Sequence, residues 1–330
     1  MRKLTAILEV LGVYMVGQVV GFGLAKAFGI QLANPLTGLK ADASQAELYG
    51  MTRQLFSVLI WQYIGWFLVA LPVGWWHRRR RLARYGVTLG GRTFPALVGI
   101  GVLLFAVAEV WSLLIHLIDS IVPLGHTVPW REAIFTMPWT PAFWALTAVG
   151  SFLLVPPLEE AFYRGYVQTR LEEDLGAPAA ILGGAGLFVF SHAQYHFLDP
   201  LNVATVLSMI VSTIAAGYIF YRTRSLVPVI VAHALVNVPV RGLALWIVPA
   251  AAFLVWFLKR RAVAEWARGL RDLLREMRPV GESVVAILGL SLFALGIATW
   301  DDLAMLAGAL ALILALALEW RQKRTGGTPE

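Results

Sequence analysis

Long apolar runs alternate with short basic clusters along the whole chain. A helix needs about 20 apolar residues to cross hydrocarbon, and the runs predict ten spans, at residues 4–26, 55–76, 95–119, 141–163, 178–195, 201–221, 226–240, 243–258, 280–298 and 303–320. The pattern is all-α: a polytopic membrane helix bundle. Arg2 and Lys3 ahead of the first run, with Ala25-Lys26-Ala27 behind it, imitate a signal peptide. The apolar stretch is too long for a signal h-region, so it is expected to be a retained helix. Segment 29–53 is polar, with little helix or strand signal, and is expected to be an external loop.

Basic residues set the orientation. In the ten-span arrangement roughly 22 of the 27 Lys and Arg fall on one side, which the positive-inside rule makes cytoplasmic, with both termini there. Segment 259–278 places Trp266, Leu270, Leu273, Leu274 and Met277 at helical spacing against arginines. It predicts an amphipathic helix on an anionic leaflet, or an ordinary basic helix between spans at the same location.

Composition supports the membrane reading. Hydrophobic residues make up 58% of the 330 and charged residues only 14%, where a soluble domain carries about 25% charged. The net charge of +7 does not indicate nucleic-acid binding, because the basic residues sit in short loops with no interleaved stacking aromatics. The chain has no cysteine, which excludes disulfides, a thiol nucleophile and thiolate metal sites.

Ionisable side chains inside a span cost about 2.5–3.5 kcal/mol each on insertion scales and point to function. They concentrate between residues 159 and 237. Glu160 and Arg164 stand at i,i+4 with the acid first, the favoured order for a helical ion pair. Glu159, turned about 100° from Glu160, is then free to face a cavity as a general base or acid, and the two carboxylates are not expected to serve one cavity centre. Phe188 and His192 share a helix face, as do His233 and Asn237; His196 lies nearer a loop. If the fourth and fifth spans form a hairpin at Gly176-Ala177-Pro178, Glu159 and His192 lie about 17 and 16 residues from the turn. At about 1.5 Å per residue both are roughly 25 Å along the pair, and so level. Outside this region Glu9, Glu109 and His116 are intramembrane polar residues without an assigned role.

The ordered set Glu159-Glu160…Arg164, Phe188…His192 and His233…Asn237 resembles the CPBP family of CAAX proteases and bacteriocin-processing enzymes, also called Abi, over about residues 140–240. The resemblance implies an intramembrane endopeptidase with a protease-like core of eight helices, flanked by membrane helices at 1–139 and 243–330 around a catalytic core at 140–242. On it, Glu159 and His192 would activate water, His233 and Asn237 would stabilise the oxyanion, and Glu160, Arg164 and Phe188 would support the site. No cofactor is required; were zinc used, Glu159, His192 and His233 would be its ligands. The implied partners are the lipid bilayer and a membrane-associated or lipid-anchored peptide, in a bacterial inner membrane. A catalytically inactive scaffold or bacteriocin-immunity partner is the alternative, and a transporter a further one, although neither inverted repeats nor paired broken helices are present.

Overall fold

The computed structural model describes residues 2–32, 44–78, 82–122, 124, 140–192, 200–238 and 244–275. Among them the regular structure is helical: α1 (Arg2–Ala27), α2 (Gln45–Arg78), α3 (Phe94–Ile121), α4 (Pro141–Leu175), α5 (Ala177–Phe190), α6 (Pro200–Thr223), α7 (Val227–Val236), α8 (Ala244–Leu258) and α9 (Arg260–Arg275), with a 3-10 turn at Leu82–Tyr85. Helices α1 to α4 and α6 are each long and apolar enough to cross a membrane. The chain is a polytopic membrane protein. The expected spans at 280–298 and 303–320, together with His196, Met277 and the side chain of His116, lie outside the described residues.

Two expected spans, at 178–195 and 226–240, are shorter than the apolar pattern suggested, and the one at 243–258 is short as expected. Helices α5, α7 and α8 have 14, 10 and 15 residues, so they rise only about 15–23 Å against a hydrocarbon core of about 30 Å. The reason is clearest for α5. It is apolar all round because other helices enclose it, with Ala179, Ala180 and Ile181 fully buried, and a helix enclosed by protein looks like a spanning one in sequence.

Segment 29–53 also differs from expectation, because residues 45–53 are the first turns of α2. Ser44 and Glu47 form a capping box that nucleates it. The Ser44 N–H donates to Glu47 Oε2 at 2.7 Å and the Glu47 N–H donates to Ser44 Oγ at 3.3 Å. Residues 33–43 lie outside the described residues.

Helices α1 and α2 pack backbone to backbone. A Cβ on Gly65 would collide with Gly17 and Gly21, so the crossing demands small residues at these places. One residue on, Trp66 is 1% exposed and stacks on Phe162 of α4 at 4.4 Å between centroids.

Helix α4 is not regular. Thr140 caps it, its hydroxyl accepting from the Phe143 N–H at 3.2 Å, with Pro141 in the first turn. Pro156 and Pro157 then remove two N–H donors and crowd the preceding turn. The helix responds by widening to a π segment at Val149–Leu154, and a second π segment follows at Ala161–Gln168. Between them lies the short α-helical stretch Val155–Glu160, which carries both glutamates. Gly176, at φ 82°, ends α4 and reverses the chain into α5, the hairpin that the Gly-Ala-Pro sequence predicts.

The loops after α2, α4 and α6 gather at one end of the bundle. Thr169 donates to the Arg84 carbonyl, Arg92 to the Arg222 carbonyl, and Arg224 forms a two-pronged pair with Glu172 at 2.7 and 2.5 Å. Helix α9 reaches the same end, where Trp266, Leu270 and Leu273 pack on the cluster holding Tyr218, Ile219 and Phe220. Part of its apolar face therefore covers α6 rather than lipid.

Candidate active site

Four helices bring polar side chains together inside this bundle. From α4 come Glu159 and Glu160, 8% and 2% exposed, and Arg164, 3% exposed. The Arg164 Nε and Nη1 lie 3.2 Å from the two oxygens of Glu160, its Nη2 donates to the Thr213 carbonyl at 3.4 Å, and its guanidinium covers the Phe188 ring at 4.7 Å. The i,i+4 pair read in the sequence is formed, and it fixes the rotation of α4.

Helix α7 supplies His233. Its Nδ1 is 2.9 Å from Glu160 Oε1, and its Nε2 is 3.9 Å from Glu159 Oε2. One imidazole thus reaches both carboxylates, which corrects the expectation that adjacent glutamates on a helix cannot serve one cavity centre. Two long side chains converge, and the ring presents nitrogens on opposite edges. A carboxylate at Nδ1 fixes the proton there, so Nε2 is the nitrogen turned toward Glu159. At 3.9 Å that approach is too long for a direct hydrogen bond.

His192 stands just beyond the end of α5. Its Nδ1 is 2.7 Å from the Phe188 carbonyl, which can only accept, so Nδ1 carries the proton and Nε2 the lone pair of the neutral ring. Its ring lies 4.6 Å from that of Phe188, and Phe188 meets the His233 ring edge-on at 5.8 Å. Phe188 therefore stands between the two histidines and Arg164. Asn237, at the C-terminal end of α7, donates from Nδ2 to the Ser151 carbonyl at 3.2 Å, which anchors α7 to the first π segment of α4.

Tyr63 completes the cluster. It comes from α2, is 1% exposed, and its hydroxyl donates to Glu159 Oε1 at 2.7 Å. Sequence reasoning did not single it out, because a tyrosine among apolar neighbours reads as packing. The other oxygen, Oε2 of Glu159, is buried and accepts no hydrogen bond among the described residues. Beside Tyr63 an apolar groove of about 360 Å³ opens between α2 and α4, lined by Phe67, Leu68, Leu71, Leu154 and Leu158 among others.

Two remaining residues separate. Glu9 joins Arg170, 2.8 Å from its Nε, with Tyr166 donating to it and Asp174 on the far side of the guanidinium at 2.8 Å. It ties α1 to α4. Glu109 of α3 forms no hydrogen bond or ion pair with the cluster among the described residues. The zinc set of Glu159, His192 and His233 does not assemble: no group of three or more His, Asp or Glu side chains among the described residues is arranged to hold a metal ion.

The arrangement offers a buried carboxylate with one oxygen anchored and one presented, beside an imidazole oriented by a second carboxylate. These are the parts of a general acid–base centre in a site sheltered from bulk water. Residues 141–239 match the family described as type II CAAX prenyl endopeptidase, Rce1-like. No curated protein and no solved structure matches the chain.

Proposed function

We propose, from the premise that residues 141–239 are a domain of the Rce1-like type II CAAX prenyl endopeptidase family, that this chain hydrolyses a peptide bond of a membrane-associated or lipid-anchored peptide. The observation that carries the reading is the line Glu160–His233–Glu159, in which one imidazole is bonded to one buried carboxylate at 2.9 Å and faces a second at 3.9 Å. A structural ion pair needs only Glu160 and Arg164. A second carboxylate with one buried, unbonded oxygen raises the desolvation penalty, so its presence favours chemistry.

In this reading water binds against Glu159 Oε2 and the Nε2 of His192. Glu159 takes its proton as the oxygen attacks the carbonyl carbon of the scissile peptide. His233, as the imidazolium, donates through Nδ1 to Glu160 and through Nε2 to the forming oxyanion, and Asn237 supplies a second N–H, since an amide has two. The proton held by Glu159 then passes to the leaving amine as the C–N bond breaks, which yields a free carboxylate and a free amine. Arg164 holds the Glu160 carboxylate in place through its two contacts at 3.2 Å. The arginine-rich loops lie at the turn end of the α4–α5 hairpin, and by the positive-inside rule we assign that end to the cytoplasmic side of a bacterial inner membrane.

The test uses internally quenched peptides anchored in vesicles, one with a prenylated CAAX terminus and one tethered by a different lipid. Wild-type protein should cleave at least one, and Glu159→Gln and His192→Ala should each lower the rate at least about 100-fold with folding intact. Full activity in both variants, or no cleavage of either peptide by the wild type, would end the endopeptidase reading. Activity should also survive a strong zinc chelator, and a loss restored by added zinc would overturn the metal-free part.

A further inference from the structure

Outside the matched segment, α2 contributes Tyr63 to the cluster, and we infer that Tyr63 is a positioning residue for Glu159. This inference rests on the endopeptidase reading. The last torsion of a glutamate is broad and roughly two-fold, so an unanchored carboxylate exchanges its two oxygens and blurs the acceptor direction. The Tyr63 hydroxyl, donating at 2.7 Å to Oε1, holds one oxygen and leaves Oε2 as the one turned toward His233 Nε2. Fixing an acceptor before the reaction is worth rate, because that ordering is not repeated in each turnover.

The anchor is itself held. Gly65 is locked against Gly17 and Gly21, so α2 cannot rotate or withdraw without separating from α1. The Trp66 ring lies 5.5 Å from Tyr63 and stacks on Phe162, two residues after Glu160. Tyr63 and Glu159 are 96 residues apart in sequence, yet the donor and acceptor are set by two helices in direct aromatic contact. Tyr63 also lines the apolar groove between α2 and α4, and Phe keeps its ring. Removing the hydroxyl alone therefore leaves the groove as it is.

Tyr63→Phe makes that separation. With the anchored peptides, kcat should fall about 10- to 100-fold, the range for losing one hydrogen bond to a charged group, while KM stays within about twofold and thermal stability is retained. Replacing Tyr63 by 4-aminophenylalanine, which restores an N–H donor at the same place, should recover most of kcat. A structural role would lower stability and would not be rescued by a donor. An unchanged kcat in Tyr63→Phe, with Glu159→Gln inactive, overturns the inference and leaves the endopeptidase reading standing. The contact is also read without catalysis: in protein labelled with ¹³C at the tyrosine ζ carbon, the Tyr63 signal should shift on Glu159→Gln, and an unshifted signal overturns the inference. Full activity of Glu159→Gln, or an inactive wild type, defeats the endopeptidase reading instead, and the spectrum still decides the contact.

Discussion

Arg164 is the residue on which the buried charges depend. It faces Glu160, the Thr213 carbonyl and the Phe188 ring, and only 3% of it is exposed. Removing one partner of such a pair leaves an uncompensated charge, at about 3–5 kcal/mol. Arg164→Leu should therefore lower the detergent melting temperature sharply, and adding Glu160→Leu should recover part of the loss; two variants that melt like wild type would show that the pair is dispensable. Much of this was legible. Glu160 and Arg164 declare themselves by i,i+4 spacing, and His192, His233 and Asn237 by being polar where lipid or core should be. Tyr63 was not legible, because its partner lies far along the chain and tyrosine is common in apolar helices. Nor was the bridging by His233, since the angular offset of adjacent residues describes their Cβ atoms and not the tips of long side chains.

At the scale of elements, the pattern located helices well and their ends poorly. Ser44 and Glu47 carry the capping-box spacing, but the apolar run begins nearly three turns after the helix does, so the first turns of α2 read as loop. The apolar content of α5 reports enclosure by neighbours, not lipid contact. The π segments of α4 were invisible to hydrophobic periodicity, although Pro156-Pro157 in an apolar run predicts that something must give. The glycine contact between α1 and α2 is the element-scale feature that most directly reaches the site. Gly65→Val should push α1 away, tilt α2 and displace Tyr63, with activity lost more steeply than stability. Gly12→Val, on the same pair of helices but with open space at its Cβ, should leave activity near wild type, and equal effects of the two would refute the packing argument.

For the molecule as a whole, the polytopic class was readable from the alternation of apolar runs and short basic clusters. That α2 would send Tyr63 into the cluster from outside the 140–242 segment was not. Glu9, on α1, answers to Arg170, which is 0% exposed and also carries Asp174. Arg170→Gln leaves two acids facing each other, and its recovery from membranes should fall well below wild type. The double variant with Glu9→Gln should be recovered more fully, and equal yields of the two would show that the charges are not coupled. The pairing also has a timetable. The acid enters the membrane on the first helix, and its cation is made about 160 residues later, which at ribosomal speeds of 5–20 residues per second is about 8–30 s. For that interval the newborn helix lacks the cation that holds its acid in the folded protein, so the tie between the first and fourth helices is a late step of assembly.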